Sequence, residues 1–239
     1  FKQKTAYEIR LSLVGSEMCI RDRCQNLLVM MPGAFDQPDD FFSAGFVRAV
    51  RTRNLALDIV ALDSHLGYVQ DGSLARRLDE DIIAPAKRRG YKEIWLAGIS
   101  MGALGAMLYT AKHGGIEGII ALAPYLGTRQ ALAEIDRGGG LAQWDPSTSA
   151  TMLAWELSLH HWLKAYVVDM PLRPNFILAY GQQDRFAKAH AALAAYLVPD
   201  KVIVTAGGHD WPTWAALWDE TLNRFAGVIA PPDAEQKHA

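Results

Sequence analysis

Glu93-Ile94-Trp95-Leu96-Ala97-Gly98-Ile99-Ser100-Met101-Gly102 is the stretch whose reading decides the fold. From Ile94 to Ile99 no side chain is polar, which is how a strand buried on both faces of a parallel sheet reads. After Ser100 the pattern changes: Leu104, Leu108 and Ala111 recur at helical spacing. The junction is Gly98-Ile99-Ser100-Met101-Gly102, a G-x-S-x-G pattern. Its two glycines remove side chains that would collide where a strand turns sharply into a helix, and the turn lifts Ser100 Oγ above the sheet. Five residues with three fixed recur by chance; the strand-turn-helix setting is what makes this one specific.

Outward from this junction, short apolar runs alternate with helical patterns. Candidate strands are 27–32, 56–63, 93–100, 117–124, 175–181 and 201–207. Between them, Phe42, Phe46 and Val50, then Leu74, Leu78 and Ile82, then Trp214, Leu217, Trp218 and Phe225 form the apolar rows of core-facing helices. The fold class this predicts is α/β, a mostly parallel sheet with helices on both faces. The interval from Leu126 to Arg173 is far longer than a crossover helix needs. It predicts a small helical cap insertion at about 126–173, with a plain pair of packing helices as the alternative. One domain over 24–230 and a disordered polar tail over 231–239 complete the expected organisation.

The chain has 239 residues, 50% hydrophobic and 21% charged, enough to bury a sizeable core. A formal charge of −2 offers no electrostatic invitation to nucleic acid or an anionic membrane. No apolar run reaches the length of a membrane span, and two cysteines are too few for a disulfide scaffold. The expected site of action is cytoplasmic, with secretion left open.

The first residues read differently. Back-translated, Lys2 to Ile9 resembles a flow-cell adapter of short-read DNA sequencing, and Leu13 to Asp22 resembles the transposase tag of the same chemistry, with the index between them. Residues 1 to about 23 are therefore expected to be an adapter-like scar outside the fold. That segment carries Lys2, Lys4, Arg10, Arg21 and Arg23 against Glu8, Glu17 and Asp22, so the remainder is more acidic than the whole. It also holds Cys19, which leaves Cys24 alone.

A serine hydroxyl needs a neighbouring base to take its proton and a carboxylate to orient that base. In an open parallel sheet such groups collect beyond the carboxyl ends of the strands. Asp184 follows the strand 175–181, and His209 follows the strand 201–207 between Gly208 and Asp210. Ser100, Asp184 and His209 are the candidate catalytic residues. Asp210, next to His209, is better suited to cap the helix beginning near Pro212, and Asp169 is the other carboxylate set aside. Asp63 and His65, after the second strand, are expected to line the rim without joining the triad.

With these residues in the order Ser, Asp, His, the chain from about 24 to 229 resembles the α/β-hydrolase family. The resemblance implies a serine esterase working through an acyl-enzyme, and an oxyanion hole. Its donors would be the backbone N–H of Met101 and of Ala34, with Phe35 in reserve. Pro32-Gly33-Ala34-Phe35 looks like the family's oxyanion loop, with Pro32 where a histidine often stands. The extra strands that usually precede this loop in the family are not evident here.

Aromatic residues Phe35, Tyr125 and Trp211 are the candidate substrate contacts, and they favour small to medium, largely apolar acyl groups in a small-molecule ester. Neither a cofactor nor a metal is expected: Gly33 is the only glycine after the first strand, and His160-His161 are adjacent and so diverge on a helix. An acyltransferase with the same triad, or a non-catalytic ligand-binding relative, are the alternatives.

Overall fold

The computed structural model describes residues 11–14, 24–63, 68, 72–168 and 174–231. Six of the expected strands form: β2 (Asn26–Met31), β3 (Asp58–Leu62), β4 (Glu93–Ile99), β5 (Gly118–Leu122), β6 (Asn175–Gly181) and β7 (Val202–Thr205). They are mutually parallel, and with β1 (Leu11–Val14) the sheet order is β1-β3-β2-β4-β5-β6-β7. β1 pairs antiparallel with β3, Leu11 opposite Leu62 and Val14 opposite Ile59. The expectation that nothing before residue 23 joins the sheet therefore meets an exception at Leu11–Val14, whose extended backbone satisfies the open ladder of β3. Of the rim pair, His65 lies outside the described residues, as do Asp169 and residues 232–239.

Nine helices cover the sheet among the described residues: α1 (Pro38–Ser43), α2 (Phe46–Thr52), α3 (Leu74–Leu78), α4 (Ala84–Arg89), α5 (Met101–His113), α6 (Arg129–Arg137), α7 (Ala154–Val168), α8 (Ala187–Ala194) and α9 (Trp211–Ile229). A π-helical turn, Asp79–Ile83, joins α3 to α4. Pro85 follows it and has no N–H to give to the preceding turn, so the hydrogen-bond ladder changes step there.

Both faces of the sheet are covered because the strands β2 to β6 are apolar on both sides. In β2, Leu27, Val29 and Met31 face a core shared with Leu78, Leu104, Tyr109 and Leu159, while Leu28 and Met30 face Phe41, Phe46, Trp214 and Trp218. α5 is buried nearly all round: Ala103, Ala106, Met107 and Tyr109 are buried along with Leu104, since α3 and α7 flank it. The long β5–β6 connection contains α6, a short 3-10 turn at Pro146–Thr148 and α7. Leu126, Trp144, Leu159 and Leu163 from it enter the core on the α5 face.

Two features of this sheet position the site. The strand order reverses at β2, whose neighbours are β3 and β4, and such a switch point opens a crevice beyond the strand ends. The register then levels those ends. Met31 pairs with Gly98, Ile99 with Leu122, and Gly181 with Thr205, so the loops after β2, β4, β6 and β7 emerge side by side.

Candidate active site

Ser100 sits between β4 and α5 with φ +52° and ψ −109°, a backbone conformation that L-residues seldom adopt. The turn is held on both sides, since Ser100 N–H donates to Leu122 O (2.9 Å) and Tyr125 N–H donates to Ser100 O (3.1 Å). A Cβ at Gly98 would strike the backbone of Gly102 and Ala103, and one at Gly102 would strike the carbonyls of Met31 and Pro32. Both glycines are thus required by close backbone approach, as the G-x-S-x-G reading anticipates.

His209 Nε2 lies 3.0 Å from Ser100 Oγ, and His209 Nδ1 lies 2.7 Å from Asp184 Oδ2. The other Asp184 oxygen accepts from Phe186 N–H at 2.7 Å. Burial pushes the Asp184 carboxyl up, but the hydrogen bonds from His209 and from the Phe186 amide outweigh it and hold the group below its ordinary value. An ionised carboxylate only accepts, so Nδ1 carries the proton and Nε2 offers its lone pair to the serine hydroxyl. The Asp184 side chain is fully closed to solvent, whereas that of His209 retains 11% exposure. Asp210 points away from this chain of bonds. Its Oδ1 accepts from Thr213 N–H (3.0 Å) and Thr213 Oγ1–H (2.6 Å), capping α9.

The loop after β2 runs close to the start of α5, where Gly102 approaches the carbonyls of Met31 and Pro32. Met101 is the first residue of α5, where a helix N–H has no acceptor within the helix. The Ala34 N–H likewise has no backbone partner among the described residues. Phe35 is 89% exposed. Asp63 is half-buried at the end of β3.

Aromatic rings surround the histidine. Phe186 meets the His209 ring edge-on at 5.2 Å and Trp214 meets it at 5.1 Å. Tyr125 contacts Phe186 at 5.5 Å and Trp155 of α7 at 6.1 Å, which links the β5–β6 connection to the site. Trp211 is placed otherwise than a free wall of the site would be. Its ring lies edge-on to Phe41, Phe46 and Trp214, and its indole N–H donates to Asp36 Oδ1 at 3.0 Å.

Three buried polar side chains to which the sequence reading gives no role lie against the loop after β5. Glu156 of α7 accepts from Thr128 N–H (2.7 Å) and from Leu153 N–H (3.0 Å). His190 Nε2–H donates to Pro124 O at 2.8 Å. His160 lies against Gly127 with neither ring nitrogen in a hydrogen bond among the described residues, and burial pulls its imidazole down to about 4 against the opposing effects of the Leu126 backbone and Glu156. Burial followed by the same glutamate pushes the Tyr125 phenol up. Nothing in a helical stretch such as Trp155-Glu156-Leu157 marks the glutamate as buried; its one local signal is its place three residues into a helix, where it can cap Leu153.

The architecture is that of the α/β-hydrolase fold, and the grouped side chains form a Ser-His-Asp arrangement with the serine on a tight strand-to-helix turn. Solved structures of the same fold include a fluorophosphonate-binding serine hydrolase of Staphylococcus aureus, substrate bound (TM-score 0.62, 13% identity, 94% of this chain and 92% of that one). An S-formylglutathione hydrolase from Agrobacterium tumefaciens is similar (TM-score 0.61, 14% identity, 92% and 94% covered). A ferulic acid esterase is similar too (TM-score 0.59, 14% identity, 93% and 98% covered). No family model matches the sequence, and no curated protein matches it at significance. Among the described residues no helix is long and apolar enough to cross a membrane.

Proposed function

We propose that this protein is a serine hydrolase that cleaves carboxylic esters of small to medium, largely apolar acyl groups. The observation that carries the reading is the unbroken line Ser100 Oγ to His209 Nε2, His209 Nδ1 to Asp184, at hydrogen-bond distance throughout. His209 accepts the Ser100 proton as Oγ bonds to the ester carbonyl carbon, and the carbonyl π electrons move to oxygen. Asp184 stabilises the imidazolium and stays ionised. The oxyanion is held by the N–H groups of Ala34 and Met101; loss of one such donor typically costs about 100- to 1000-fold in rate. His209 then protonates the leaving alkoxide, and the acyl group remains on Ser100. In the second half His209 takes a proton from water, hydroxide oxygen bonds to the acyl carbon, and Ser100 leaves with the proton returned. Nucleophile, base and electrophilic donors all come from the chain. Phe35 and Tyr125 are the apolar surface on which the acyl or alcohol part would rest, with Trp211 behind them.

The likeness of fold to proteins described as an esterase and as serine hydrolases supports this reading. A panel of p-nitrophenyl esters of graded acyl length tests it, with Ser100→Ala alongside. The substitution removes one atom from a small side chain, so the fold persists while turnover vanishes. Retention of more than about a tenth of wild-type turnover would overturn the serine mechanism, because loss of a triad nucleophile costs many orders of magnitude.

A further inference from the structure

Ala34, one of the two oxyanion donors of the reading above, sits at the tip of a turn whose base at Gly33 is buried but whose tip the core does not hold. The turn runs from Gly33 to Asp36 and is closed by Asp36 N–H to Gly33 O at 3.3 Å, a long bond. Phe35 faces solvent and Ala34 contributes only a methyl. An N–H donor stabilises an oxyanion only if it is already in place when charge develops. Packing holds the base of the turn, and the tip that carries Ala34 calls for a further tie.

We propose that Asp36 is the positioning residue of the oxyanion hole: its carboxylate ties the Gly33–Asp36 turn to the segment carrying His209, and so sets where the Ala34 N–H stands relative to Ser100. Asp36 Oδ1 accepts the indole N–H of Trp211 at 3.0 Å, a bond between residues 175 apart in sequence. Trp211 is itself immobilised. Phe41 and Phe46 meet its ring edge-on, both at 5.6 Å, and Trp214 at 5.3 Å, and Trp214 in turn packs on His209. The indole nitrogen is thus a fixed point two residues beyond the catalytic base, to which Asp36 moors the turn.

The second oxygen completes the clamp. Asp36 Oδ2 occupies the space a Cβ on Gly33 would need, so the carboxylate lies directly against the turn it holds. Burial pushes the Asp36 carboxyl up and the Trp211 bond pulls it back, so the contact offsets part of the cost of bringing a charge there. Asp40 also raises it, while the Gly33 backbone and the nearby His209 lower it. Asp36 touches neither Ser100 nor His209 by hydrogen bond; it acts through Ala34.

The inference rests on the ester-hydrolase reading, and the test separates the two. Asp36→Ala, Asp36→Asn, Trp211→Phe and the Asp36→Ala/Trp211→Phe double variant are assayed for kcat and KM on the best p-nitrophenyl ester, with Tm measured by calorimetry. Exchange of the Trp211 indole proton is followed by NMR. Displacing a reacting partner by about 1 Å costs on the order of 100-fold, so Asp36→Ala is expected to lose at least about tenfold in kcat with KM within about twofold. Asp36→Asn keeps an oxygen that accepts the indole N–H and should recover to within about threefold of wild type. Because both single changes break one bond, the double variant should fall no further than the worse single. The indole proton should exchange faster in Asp36→Ala than in wild type. The proposal is overturned by a kcat for Asp36→Ala within twofold of wild type in a folded protein, by losses that multiply in the double variant, or by an Asp36→Asn variant as slow as the alanine. If the wild type turns over none of the esters, the ester reading fails and the indole exchange decides alone: unchanged protection of the Trp211 proton in Asp36→Ala overturns the clamp.

Discussion

Replacing Asp184 by Asn changes one oxygen for an NH₂ and nothing in shape, which makes the consequence a matter of hydrogen-bond polarity. The side chain faces two donors, His209 Nδ1–H and Phe186 N–H, each at 2.7 Å. An ionised carboxylate accepts from both; an amide has one accepting oxygen. If that oxygen serves Phe186, the NH₂ points at Nδ1 and the imidazole proton moves to Nε2. Nε2 then donates to Ser100 Oγ and cannot take its proton. If the oxygen serves His209, the correct tautomer survives but the NH₂ confronts the Phe186 N–H, leaving a buried donor unpaired at a cost of about 1–3 kcal/mol. At 1.4 kcal/mol per factor of ten, the productive arrangement is then populated at roughly one part in five to one in 150. In that arrangement the imidazolium also lacks its carboxylate, so the combined fall in kcat is expected near 10⁴-fold. The assay is single-substrate kinetics on a p-nitrophenyl ester, with circular dichroism to establish folding. Asp210→Asn, in which the new side chain still caps α9, should stay within severalfold of wild type. A folded Asp184→Asn enzyme retaining more than a tenth of wild-type kcat, or Asp210→Asn being the slower of the two, would refute the assignment of Asp184 as the orienting acid.

Other perturbations have equally definite outcomes. Gly102→Ala drives a Cβ into the Met31 and Pro32 carbonyls; overpacking of about 1–3 kcal/mol at about 2–4 °C per kcal/mol lowers Tm by roughly 2–12 °C in calorimetry. The displaced Met101 N–H should cost at least about tenfold in kcat, and a variant with unaltered Tm and turnover would contradict the close approach. Asp210→Ala removes the cap on Thr213, which at about 1 kcal/mol predicts a fall in Tm of about 2–4 °C with turnover largely kept. His160 is held neutral down to about 4 in the folded state against an ordinary 6.5, so between those values the unfolded chain binds the extra proton and stability falls as pH drops. His190, lowered chiefly by burial, adds in the same direction, while Asp184 contributes stability above its ordinary 3.8 that is lost only at lower pH. Thermal melts from pH 7 to 5 should show a declining Tm, with a shallower decline in His160→Phe; equal slopes would remove His160 from the acid response.

Much of the Ser-His-Asp arrangement was legible because it is written locally. Ser100, Asp184 and His209 each follow a continuous apolar run, and such a run marks a buried strand whatever it pairs with. Glycines 98 and 102 announce a tight strand-to-helix turn for the same reason: the steric demand arises within a few residues. Asp210 could be set aside as a cap from its place before Trp211-Pro212-Thr213, which is also a local geometry.

Tertiary structure alone decided what distant segments do to each other. Only the fold shows that the Trp211 ring joins Phe41, Phe46 and Trp214 and that its N–H meets Asp36. α5 carries apolar residues nearly all round, and only the fold shows that α3 and α7, from two other parts of the chain, close over it. Leu11–Val14 has no pattern that demands a strand, yet an open β3 ladder accepts any extended backbone of suitable length. Glu156, His160 and His190 look like helix-surface or spare residues until α7 and α8 bring them against the β5 loop. In every case the deciding quantity is the free energy of a contact between residues far apart in sequence. Periodicity records which face of an element is apolar; it carries no information about which element that face will meet.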